Sequence, residues 1–143
     1  MKNCVSILFL TLGFHICTYG QVVNEDFVSA IYPGCEKEID NGHRKKCMAK
    51  KIALFTYGKF NTKILCDIGV EGFERIGVVF KVNTEGDVVD VQARSKYDSV
   101  KEECIRVIKL LPKITPAKKS GNAVDFPFAL PIKMRCLGNV DKG

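Results

Sequence analysis

This chain of 143 residues is short of the side chains that carry out chemistry. It has two histidines, His15 and His43, and no glycine-rich phosphate loop. No Cys/His spacing matches a zinc pattern, and there is no repeat or low-complexity tract. The longest apolar run, near the N-terminus, is shorter than the ~20 residues that a membrane-spanning helix needs. These absences weigh against a Ser/His/Asp hydrolase, a nucleotide-binding loop protein and a membrane-embedded chain. Length and a composition of 46% hydrophobic and 27% charged residues instead suit one ordinary globular domain.

Lys2, the apolar run Val5 to Ile16 and the small Gly20 have the layout of a secretory signal peptide, so residues 1–20 are expected to be cleaved near Gln21. An uncleaved anchor is disfavoured by Gly13 and His15 within the run. A lipid-attachment site at Cys17 lacks the small residues it would need before it. Loss of the segment turns the net charge of +6 into +5 and leaves five cysteines and one histidine, His43. Export permits disulfides. Cys35 and Cys47 flank a short charged loop and are expected to pair. Cys66, Cys104 and Cys136 remain, and an odd count leaves at least one thiol over. Cys104 is read either as a small core residue or as a partner of Cys136.

The structural signal is strongest in the last third. Ile76, Val78, Phe80 and Val82 alternate with Arg75, Lys81 and Asn83, with Val79 as the exception, and predict a strand with one buried face. Asn83-Thr84-Glu85-Gly86 is a turn, and Val89, Val91 and Ala93 alternate in a second strand, completing an antiparallel hairpin. Val100, Cys104, Val107, Ile108 and Leu111 repeat at helical spacing, with Ser99 and Glu102 as a capping box and Pro112 as the stop. Lys113 to Ala123 reads as an ordered loop. Val124 to Met134 alternates cleanly and predicts a strand; Pro127 and Pro131 share one parity, which fits an edge. Upstream, residues 21–41 are expected as an extended lead-in, with a turn at Tyr32-Pro33-Gly34-Cys35. A helix is expected from Gly42 or His43 to Phe60-Asn61, with Met48, Ile52 and Phe55 on one face, then a short helical turn around Leu65 and Ile68. The domain is expected over 42–137, with a disordered tail at 138–143.

Candidate chemistry has bland counterparts throughout. A Cys/His pair using His43 is formally possible. Cys35, His43 and Cys47, with Glu36, Glu38 and Asp40 nearby, could ligate a metal, but a disulfide suits an exported chain better, so no metal site is expected. Glu102 and Glu103 read as a solvated face. The basic cluster from Arg44 to Lys51 has too few interleaved aromatics for nucleic acid and reads as a solvated helix face, with contact to an anionic envelope surface or acidic partner as the alternative.

The order of hairpin, helix, proline-containing loop and edge strand resembles the C-terminal domain of TonB-type energy transducers over roughly Cys35 to Met134. The resemblance is carried by Ile76 to Val88 for the hairpin, Ile105 to Lys113 for the helix end, Thr115-Pro116-Ala117 with Gly121, and Phe128-Ala129-Leu130-Pro131-Ile132. Pro33-Gly34-Cys35-Glu36 and Arg44-Lys45-Lys46-Cys47-Met48 are similar to the lead-in of flavobacterial members. The resemblance implies an α+β fold, a three-stranded antiparallel sheet packed against two helices with the last strand at an edge. It implies a periplasmic, non-enzymatic module without cofactor that binds an envelope protein such as an outer-membrane TonB-dependent receptor, partly by strand addition, as part of TonB-linked transport. Carried over, the contacts fall on Asp125, Pro127, Ala129, Pro131, Lys133 and Arg135. A homodimer is a further expectation. Full transducers have a membrane anchor and a long proline-rich spacer, neither of which is seen here, so a stand-alone exported member is expected. The alternative is a small exported disulfide-containing structural or assembly protein of the envelope without receptor docking.

Overall fold

The computed structural model describes residues 26–137; the expected signal peptide and tail lie outside them. Elements follow in the order β1 (Phe27–Val28), α1 (Asn41–Lys59), α2 (Lys63–Asp67), β2 (Phe73–Val82), β3 (Val88–Arg94), α3 (Asp98–Ile108), β4 (Ala117–Lys119), β5 (Asn122–Val124) and β6 (Phe126–Arg135). The fold is mixed α+β, with two three-stranded antiparallel sheets ordered β3-β2-β6 and β1-β4-β5. No helix of the described residues is long and apolar enough to cross a membrane.

The alternating run forms β2, which begins before Ile76, at Phe73, and buries every second side chain from Glu74 to Val82. The hairpin turn closes through Asn83, whose N–H donates to Asp87 O at 2.9 Å and whose Oδ1 accepts from the N–H of Glu85 and Asp87. Gly86 sits at φ +87°, and a Cβ there would lie 2.3 Å from Ile114 O. That closeness is used, because Ile114 N donates to Gly86 O at 2.9 Å and ties the turn to the segment after α3. Beyond Val79 the register slips by one residue, and Asp90 takes φ +52° with its carboxylate 2.8 Å from Lys81 Nζ. Such a bulge bends and twists the strand that carries it.

β6 pairs with β2 over its whole length, from Phe126↔Val82 to Arg135↔Phe73. Its inner residues Phe126, Phe128, Leu130, Ile132 and Met134 meet Ile76, Val78, Phe80 and Val82 in a core closed by Met48 and Ile52 of α1, Leu65 of α2, and Val100, Cys104, Val107 and Ile108 of α3. Each large side chain buried there stabilises the fold by roughly 1.5–3 kcal/mol relative to exposure.

Several expectations need correction. Lys113 to Ala123 is not all loop: Ser120 and Gly121 take φ +49° and +81°, the turn that matches strand twist, and join β4 to β5. The run Val124 to Met134 is not one strand either, because it breaks at Asp125 between β5 and β6. The lead-in joins the body of the protein through β1, through Ile31 bridging Thr115, and through Asn41, whose side chain bonds Ser29 N and Phe27 O. α3 starts at Asp98 after Tyr97 without a side-chain cap, so Ser99 and Glu102 form no capping box; Ser95 Oγ instead accepts from Tyr97 N and donates to the buried carboxylate of Glu74. Glu103 is not solvated. Its side chain is 10% exposed, accepts from Asn61 N at 2.9 Å and pairs with Arg106, locking α3 to the link between α1 and α2.

Candidate functional site: the free margin of the sheet

Proline decides how β6 presents its backbone. Lacking an N–H, Pro127 and Pro131 cannot donate to β2, yet both stand in register, opposite Lys81 and Gly77. The ladder must therefore run through the other parity, Phe126 to Met134. Pro127, Ala129, Pro131, Lys133 and Arg135 then aim their backbone groups at the opposite flank, where Ala129, Lys133 and Arg135 retain donors. That flank is paired with no described strand. The other outer strand, β3, is shorter and carries the bulge, a common way of blunting an edge.

All six residues expected at the contact are exposed. Five lie on β6: Ala129 opposite Val79, Lys133 opposite Arg75, Arg135 opposite Phe73, with the two prolines between them. Asp125 is apart, in the break before the strand; the hydrogen bond that Lys81 donates to Asp90 raises the pKa of Lys81, and the charges of Asp90 and, more weakly, Asp125 add to it. The fold adds residues that sequence reasoning missed. Tyr57 of α1, Thr62, Phe73 and Leu137 surround the end of β6 with Lys133, Met134 and Arg135, forming a recess of about 350 Å³. Arg135 lies over the Phe73 ring at 5.8 Å. Phe73 was legible in principle, since it shares parity with Arg75 and Lys81 and so belongs on the wet face.

The cysteines divide as follows. Cys35 bonds Cys47, as expected, which takes both sulfurs out of any metal set, and Cys66 bonds Cys136. The reading of Cys104 as a partner of Cys136 is overturned: it is a free, fully buried thiol. Burial, helped by Glu103, pushes its pKa up to about 11, the reverse of what a nucleophile needs. His43 is on the surface, 3.3 Å from Asp40, which caps α1 by accepting from His43 N. No group of three or more His, Cys, Asp or Glu among the described residues is placed to hold a metal ion. Two disulfides are compatible with a location outside the cytoplasm. In comparisons with known proteins the chain matches no family model, no curated protein and no solved structure.

Proposed function

We propose that the protein is a periplasmic, non-enzymatic binding module of the TonB C-terminal type, which engages an envelope protein such as an outer-membrane receptor by adding a strand along β6. The observation that carries the reading is the ten-residue β6 with one flank paired to no strand among the described residues. An incoming strand finds donors at Ala129, Lys133 and Arg135, carbonyls throughout, and a recess beside Phe73 and Tyr57 for an alternate side chain. Prolines at two of the outward positions restrict it to registers that need no donor there.

The same prolines favour a second reading, a small exported structural or assembly protein whose edge is protected rather than used. One experiment separates the two. A photo-crosslinking residue at Ala129 or Lys133 should capture a receptor-type envelope protein in the native envelope, and the same residue at Gln92 on β3 should not. Lys133→Pro, which removes an outward donor, should abolish capture while the melting temperature shows the fold intact. Equal capture from both edges, or capture insensitive to Lys133→Pro, would leave the structural reading.

A further inference from the structure

The positive charge of this protein is not spread evenly. Of 22 Lys and Arg residues, six lie on α1: Arg44, Lys45, Lys46, Lys50, Lys51 and Lys59. None of the 16 Asp and Glu residues does, so the other sixteen cations balance the sixteen acids and the whole surplus of +6 sits on this one helix. Among the described residues none of the six forms an ion pair. Arg44 donates to Glu38 O and Lys45 lies over the Phe126 ring. Lys46, Lys50 and Lys51 are exposed around a shallow hollow of about 490 Å³ whose lining includes the carboxylate of Glu38, and the charge of Lys51 also acts on Glu36. Even with the loop acids Glu36, Glu38 and Asp40 and the loop cation Lys37 counted, residues 34–59 carry +4.

The outward stripe continues beyond the lysines. Met48, Ile52 and Thr56 face the core, so the opposite side of a helix with 3.6 residues per turn presents Lys46, Lys50, Leu54 and Tyr57. Leu54 is 56% exposed and Tyr57 47%, and Ile39, just before the helix, is 92% exposed. Ammonium groups interleaved with a tyrosine and a leucine along one helix face, with an exposed isoleucine just before the helix, match the interfacial zone of a bilayer, where anionic headgroups meet the first methylenes.

We propose that this outer face of α1 docks the protein on an anionic lipid surface, with the lysines on headgroup phosphates and with Leu54, Tyr57 and Ile39 as shallow insertions. An acidic protein partner would be better served by a recess with fixed donors than by flexible lysines around an open hollow. The face shares Tyr57 with the recess at the end of β6, but Lys46, Lys50 and Lys51 line a different hollow, so a test on those lysines stands or falls apart from the function proposed above.

The test is sedimentation of the full oxidised chain with vesicles of phosphatidylcholine alone or with one third phosphatidylglycerol. The neutral vesicles report any binding by residues 1–25 that is common to both. Binding should be much stronger to the anionic vesicles and should be lost at about 1 M salt, where the screening length falls to ~3 Å. Replacing Lys46, Lys50 and Lys51 together by Gln should weaken it on the order of a hundredfold, equivalent to ~1 kcal/mol for each lysine. The same change at the exposed Lys109, Lys118 and Lys119 should weaken it only severalfold; melting temperatures confirm both folds. Equal binding to the two vesicle types, equal losses in the two triple variants, or binding to polyglutamate with none to anionic vesicles would each overturn the proposal.

Discussion

Cys104 shows how a residue's surroundings reverse its chemistry. A thiol held neutral and sealed beneath α3 reacts slowly, so the folded protein should leave Cys104 unmodified by a thiol reagent at neutral pH, and denaturant should expose it, as mapping of the labelled site would read. Rapid labelling of Cys104 in the native protein would revive a thiol-based activity. Glu103 makes the complementary case. The hydrogen bond from Arg106 holds its carboxyl below the ordinary glutamate value of 4.5, so its contribution is fully present above that value and is lost as pH falls through the lower, folded one. Glu103→Gln should therefore flatten the acid limb of stability against pH, read by urea unfolding; an unchanged limb would mean the pair contributes nothing. The sequence placed Cys104 on the helix stripe correctly. It could not show that Glu103 meets Asn61, because that contact spans 42 residues of chain.

At the scale of the element, β6 is where local pattern and tertiary role agree best. Its alternation marked the inner face, and Phe128 is 8% exposed, packed 5.6 Å from the Phe80 ring and 6.2 Å from that of Phe126. Phe128→Ala should cost ~3–5 kcal/mol of unfolding free energy, since a ring-sized void in a packed core closes only partly. A cost near zero would mean the inner face is misassigned. Asp125 was read as part of this strand because alternation alone does not register a break. β4 and β5 were hidden for another reason: three-residue strands are too short to establish a period, and Ser120-Gly121 resembles any loop until both residues take positive φ.

For the whole molecule, the disulfides set how tightly distant parts are joined. Cys66–Cys136 links α2 to the segment after β6 across 70 residues, whereas Cys35–Cys47 closes only 12. Chain entropy then makes the long closure worth ~4 kcal/mol and the short one ~3. Cys66→Ser with Cys136→Ser should lower the denaturation midpoint more than Cys35→Ser with Cys47→Ser, and the reverse order would show that native-state effects outweigh loop length. The sequence by itself determined the hairpin, the α3 stripe from Val100 to Ile108, the inward parity of β6, its proline-marked edge and the bond across the short charged loop, since each depends on residues close together in the chain. The tertiary structure alone decided the Cys66 partner, the second sheet that takes in the lead-in, and the recess joining Tyr57, Phe73 and Leu137. Those depend on which distant segments meet when the core closes, and periodicity carries no record of such meetings.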